Sequence, residues 1–269
     1  MKKTICTILL CCFFFASRSQ FDNKLADFGL KGNVSSLVEK EYQLTNYDYN
    51  SKKEERKATF VFNKSGLKTE ETYAAPSGEV LYRGVFTYSS SGELAEEKVN
   101  NFEYNRNFVK KYIGTPTDIT VNIEFESETP RVHEKYTLNS KKQVTQRVDY
   151  DNGEPFRTLK YSYNSSGMLQ SETQQMPGAT INFKYTYNNR GLPETKTEVN
   201  AAGKILHTQS YTYNTNGNVV TETTSYSGDP QKLTLSYKYV LDSVGNWTEK
   251  QEYMDGHLFS VTTREISYF

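Results

Sequence analysis

The stretch Tyr161-Ser162-Tyr163-Asn164-Ser165-Ser166-Gly167-Met168-Leu169 decides the fold, because its pattern returns along the chain. Tyr185-Thr186-Tyr187-Asn188 leads to Gly191, and Tyr211-Thr212-Tyr213-Asn214 leads to Gly217. Phe60-Val61-Phe62-Asn63 ends at Gly66, and Phe86 to Gly92 places Ser89 in the Asn position. Tyr136 to Lys142 has lost the glycine, while Tyr237 to Gly245 is longer and uses Asp242. Period-two alternation puts Tyr161 and Tyr163 on one strand face and Ser162 on the other. Tyr185 with Tyr187, Tyr211 with Tyr213 and Tyr237 with Tyr239 follow the same rule.

The turn chemistry has a physical basis. Asn, Ser or Asp opens a type I turn by capping its own backbone, and Gly supplies the left-handed residue that returns the chain. Structural turn positions are therefore Asn63, Gly66, Gly92, Asn164, Gly167, Asn188, Gly191, Asn214, Gly217, Asp242 and Gly245. Lys142, in a glycine slot, must either take positive φ at about 1–2 kcal/mol or use another turn. A second turn follows at Gly78, Gly153, Gly178, Gly203, Gly228 and Gly256. Two turns in a period of about 25 residues mean two strands per unit.

These spacings predict an all-β chain: an antiparallel meander of about eight β-hairpin repeats over residues 58–269. A first strand and a charged loop over 20–57 lead into it. Residues 100–131 lack clean copies but keep turn-like pieces, and read as degenerate repeats. On the order of sixteen strands is more than an open twisted sheet sustains, so a coiled or curled sheet around the aromatic face is expected.

Composition agrees with half-buried sheet. Hydrophobic residues make up only 36%, yet aromatics reach 14%, with 21 Tyr. Aromatic side chains fit a pleated, half-covered surface. Lys plus Arg and Asp plus Glu both number 32, which leaves no basic footprint for nucleic acid and no polybasic membrane patch.

The first nineteen residues read as a signal peptide. Lys2 and Lys3 precede an apolar stretch from Ile5 to Ala16, and Ser17 and Ser19 suit a cut before Gln20. That stretch is too short to span a bilayer, and the mature chain has no transmembrane segment of its own by this reading. Lipidation would use Cys11 or Cys12, but Leu10 and Cys11 are poor residues to precede a lipidated cysteine. Cys6, Cys11 and Cys12 all lie here, so the mature part holds no thiol and no disulfide. Its expected location is periplasm, cell surface or medium.

The Tyr-x-Tyr-Asn-x-x-Gly units resemble the YD repeat of the Rhs-type family, with Asn mostly standing where that family has Asp. Leu241-Asp242-Ser243-Val244-Gly245-Asn246-Trp247-Thr248 looks like a unit common in its small exported members. Leu30 to Leu37 is similar to their first strand, and Arg264 to Tyr268 to their last. The resemblance implies a hairpin array. Large relatives build hollow β-shells around secreted toxins, and the repeats have been regarded as carbohydrate binders. The expectation is a non-enzymatic exported module, binding or structural, at the cell envelope, with a glycan or protein partner. The alternatives are a hydrolase of envelope polysaccharide and an accessory protein of a secretion or toxin system.

Chemistry is sparse in the sequence, and no catalytic set, metal site or cofactor is expected. His133, His207 and His257 fall in different repeats, as exposed strand or turn residues, without an HExxH pair. No Gly-x-Ser-x-Gly elbow occurs. Glu70, Glu71, Glu96, Glu97, Glu172, Glu222 and Glu249 recur just past the turns, which argues for a solvated ladder over a glycosidase pair. Tyr161, Tyr163, Tyr185, Tyr187, Tyr211, Tyr213, Tyr237, Tyr239 and Trp247 have two roles open, core packing or stacking on sugar rings. Asp242-Ser243-Val244 resembles a short O-glycosylation sequence, with Ser243 as acceptor.

Overall fold

The computed structural model describes residues 23–126 and 128–269; the signal peptide over 1–19 and its cut before Gln20 lie outside the described residues. Each repeat forms a hairpin because its turn is held three ways. In the turn after Tyr213, Gly217 N–H donates to Asn214 O (3.1 Å), and Asn214 N–H donates to Asn218 O (2.9 Å). The Asn214 side chain accepts from Asn216 N and Asn218 N, both at 3.0 Å. The Asp242 carboxylate does the same for Val244 N and Asn246 N at 2.9 Å.

Eighteen strands result among the described residues. They are β1 (Val34–Gln43), β2 (Lys53–Phe62), β3 (Lys68–Ala74), β4 (Val80–Tyr88), β5 (Leu94–Asn101) and β6 (Arg106–Gly114). Next come β7 (Asp118–Phe125), β8 (Arg131–Leu138), β9 (Val144–Asp151), β10 (Glu154–Tyr163), β11 (Leu169–Met176) and β12 (Ala179–Tyr187). The last are β13 (Pro193–Val199), β14 (Ile205–Tyr213), β15 (Val219–Tyr226), β16 (Lys232–Leu241), β17 (Trp247–Met254) and β18 (His257–Tyr268). Every strand pairs antiparallel with its sequence neighbours, and β1 pairs with β18 through Leu37 opposite Ile266 and Glu39 opposite Arg264.

The all-β meander is therefore present, and its curl runs to completion: the sheet closes into a barrel rather than staying open. The reason is the edge: an open β1 and an open β18 would each leave a row of unpaired N–H and C=O groups, and pairing them removes both. The irregular stretch 100–131 contributes β6 and β7, so the hairpin rhythm continues where the motif fades. Its turn uses Gly114, where a Cβ would sit 2.0 Å from Asp118 O, so only glycine fits.

Both described ends of the chain lie at one mouth, which we call the terminal mouth. There Lys24 bridges to Leu67, Leu25 N–H donates to Gly66 O (3.0 Å), and Phe28 stacks on Phe60 and Phe62 at 4.8 and 5.3 Å. Asn246, 2% exposed, accepts from Lys31 N (2.7 Å) and donates to Lys31 O (2.9 Å) and the Tyr268 hydroxyl (2.8 Å). A ring of this many strands is too wide for its own side chains to fill. Accordingly, buried apolar residues form separate clusters, one around Val34, Leu37, Phe60 and Phe62 and another around Val121, Tyr136 and Leu138.

Lys142 takes the first of its two options, at φ 59. Replacing it with Gly is expected to raise stability by about 1 kcal/mol, read as a higher denaturation midpoint. Loss of its exposed ion pair with Glu93 (3.0 Å) subtracts only a few tenths at most.

Candidate functional site

The inner face is where titratable groups collect, and one backbone irregularity explains it. All seven motif hairpins carry a one-residue β-bulge just past the turn, as between Ser162 and Tyr163 against β11. Tyr163 pairs with Leu169, Gln170 is left over, and Tyr161 then pairs with Glu172. The extra residue reverses the in–out parity of everything after it. Each first aromatic thus faces a charged residue on the inside: Glu71, Glu97, Arg147, Glu172, Lys196, Glu222 or, for Tyr237, Glu252.

This corrects the expectation of a solvated carboxylate ladder. Glu71, Glu97 and Glu222 are buried. Tyr82 and Tyr112 both donate to Glu97 at 3.1 Å, Tyr185 donates to Glu172 (3.1 Å), and Tyr237 to Glu222 (3.3 Å). Glu70, Glu96 and Glu249 point outward, where Glu70 meets Arg83 at 2.9 Å and Glu249 accepts from the Tyr49 hydroxyl at 2.8 Å.

The tyrosines of the motif all face inward. The second one of each pair reaches back to a backbone carbonyl: Tyr163 to Val144 (2.6 Å), Tyr187 to Leu169 (2.7 Å), Tyr213 to Pro193 (2.6 Å) and Tyr239 to Val219 (2.8 Å). Tyr211 is buried and donates to Gln209 at 3.3 Å. Burial pushes the phenols of Tyr161, Tyr185, Tyr187, Tyr213 and Tyr239 up, and neighbouring carboxylates push further, as Glu172 does for Tyr161 and Tyr185. Trp247 carries the Arg264 guanidinium 3.5 Å over its ring, and Arg264 pairs with Glu39 at 2.9 Å. Ser243 is exposed in the turn between β16 and β17.

A denser network crosses β8, β9 and β10. Arg147 contacts Glu134 (3.0 Å) and Asp149 (2.5 Å), Arg157 contacts the other oxygen of Asp149 (2.5 Å), and Tyr136 donates to Glu134. His133 occupies a bulge in β8, half-buried, 3.6 Å from Glu134; burial lowers its pKa while that carboxylate opposes the shift. His207, 3.3 Å from Glu198, also faces inward, so two of the three histidines are not simply exposed. His257 stacks on Tyr47 at 4.9 Å.

Beside this network, at the mouth opposite the termini, lies a cavity of about 390 Å³. Arg106, Ile123, Phe125, Arg131, His133, Tyr150, Asp151, Asn152 and Phe156 line it. Sequence reading had not singled out these residues apart from His133; the fading of the motif over 100–131 was the one signal near them. Among the described residues, no group of three His, Cys, Asp or Glu side chains suits a metal ion. No helix among them is long and apolar enough to cross a membrane.

No family model and no curated protein matches the chain. Among solved structures, it is similar to a porin-like protein from Bacteroides uniformis, with 16% identity, TM-score 0.50, and 87% of this chain and 98% of that one covered. It also aligns with a porin-like protein from Bacteroides vulgatus at 10% identity and TM-score 0.41, covering 72% and 95%. A TcdB2-TccC3 toxin structure aligns over 83% of this chain and 14% of that one, at 11% identity and TM-score 0.37. The first of these supports the fold, a closed antiparallel barrel.

Proposed function

We propose that the mature chain is an exported, water-soluble barrel of YD-type hairpins that binds a glycan or protein partner at the cell envelope and turns nothing over. The outward face carries this reading. A barrel that crosses a bilayer needs an outward apolar band about 25 Å tall. Here Thr208, Ser210 and Thr212 on β14 stand beside Ser225, Thr223 and Thr221 on β15. Outer hydroxyls bond one another, Ser162 to Ser171 at 2.7 Å and Thr186 to Thr195 at 2.8 Å. Outward apolar residues such as Val85 and Val109 face Lys98, Glu70 and Glu124 across the strands. Such a surface suits water, and the interior, with its charged and aromatic side chains, is the face left to bind.

The mature protein is expected to stay monodisperse without detergent and to give no conductance steps in planar bilayers. A detergent requirement together with stepwise conductance would overturn the reading. Calorimetric titration with envelope polysaccharide should saturate without new reducing ends, whereas new ends would favour the hydrolase.

A further inference from the structure

Interior arginines come with carboxylates: Arg56 with Glu41, Arg147 with Glu134 and Asp149, Arg157 with Asp149, and Arg264 with Glu39. Two do not. Among the described residues, Arg106 and Arg131 have no carboxylate within ion-pair range and lie instead over the single ring of Phe125, 4.5 and 5.1 Å from its centre. Arg131 is held there by Asn152, whose side-chain oxygen accepts from Nη1 at 3.1 Å. Both guanidiniums border the cavity of about 390 Å³, near the lower end of the ~300–1,000 Å³ usual for small-ligand sites.

Arg106 is exposed at the mouth and Arg131 half-buried, so water softens their repulsion without removing it, and an anion between them would relieve what remains. Guanidinium forks suit planar carboxylate and also sulfate oxygens. Asp151, on the same lining, is exposed, so water screens its charge. The remaining wall is aromatic and hydrogen-bonding: Phe125 and Phe156 bring rings, and His133 and Asn152 bring polar atoms. We infer that this cavity binds an acidic saccharide, its carboxylate or sulfate between Arg106 and Arg131 and its sugar ring against Phe156. The inference rests on the barrel being a binding module and names its ligand class.

The test is calorimetric titration of the mature protein with trigalacturonate, maltotriose and inorganic sulfate. Trigalacturonate should saturate, bind about tenfold or more tightly than maltotriose, and weaken as salt is raised. Arg106→Gln and Arg131→Gln should each weaken it about tenfold, and the double variant should abolish binding with the Tm unchanged. Phe156→Ala removes an exposed ring while leaving Arg106 and Arg131 in place, and should weaken trigalacturonate but not sulfate. Equal affinity for maltotriose, or full affinity in the double variant, overturns the acidic site while leaving a binding barrel in place. No trigalacturonate binding, or sulfate binding with no preference for the saccharide, also overturns it. Residence in water or lipid is read separately by the bilayer experiment, so the two readings fail independently.

Discussion

A chain ending at Met254 is expected to be aggregated and to show no thermal transition. β18 is paired on both sides, with β17 and with β1, so its removal opens two edges at once. It also takes away Arg264, whose side chain is 7% exposed, leaving Glu39, 17% exposed, without its partner. Glu39 is only half-buried and gains water at the new edge, so the larger cost is the two unpaired strand edges and the apolar surface they uncover. The Trp247 face and the Asn246 bond to the Tyr268 hydroxyl are lost as well. Size-exclusion chromatography and circular dichroism give the readout. A monomeric truncated chain melting at the full-length temperature would show that closure is dispensable.

The second large effect is alkaline. Burial raises the phenols of Tyr112, Tyr136, Tyr161, Tyr185 and Tyr239 well above their ordinary value, and Glu97, Glu134, Glu172 and Glu252 raise them further. A group whose folded pKa is raised supports the fold below its unfolded pKa and withdraws that support as pH climbs towards the folded value. Each such phenol costs about 1.4 kcal/mol by one pH unit above its unfolded value of about 10. Allowing for partial screening, the five remove on the order of 5 kcal/mol by about pH 11. The tyrosinate absorbance of these buried phenols should then appear in one cooperative step, together with loss of the β-sheet circular dichroism signal. Gradual titration centred near pH 10 with the fold retained would contradict the buried Tyr–Glu pairing.

Why some of this was legible in the sequence and some was not follows from distance along the chain. Turns are local, so Asn164 with Gly167, or Asp242 with Gly245, could be read as hairpins from the spacing alone. The face of Tyr161 and Tyr163 was legible for the same reason. Glu172 was not, because period-two counting from Leu169 runs through the bulge at Gln170, and one unpaired residue sends the carboxylate to the opposite side. Closure was invisible for a different reason. No residue pattern in Val34–Gln43 announces a partner as remote as His257–Tyr268. The cavity residues Arg106, Phe125 and Arg131 sit in β6, β7 and β8, in and beside the stretch where the repeat loses its signature. The loss of Tyr-x-Tyr-Asn there is what gives room to arginine and phenylalanine.

The single pairing between β1 and β18 also divides assembly into two regimes. Every other ladder joins strands adjacent in sequence, so contact order is low and hairpins can zip on the microsecond scale. The seam instead brings together Leu37 and Ile266, 229 positions apart, at a loop-closure cost of about 5 kcal/mol. A chain delivered N-terminus first keeps one side of β1 waiting until its last strand arrives. The slow step of folding is thus placed at the seam, and substitutions there should slow ring closure while leaving hairpin formation untouched.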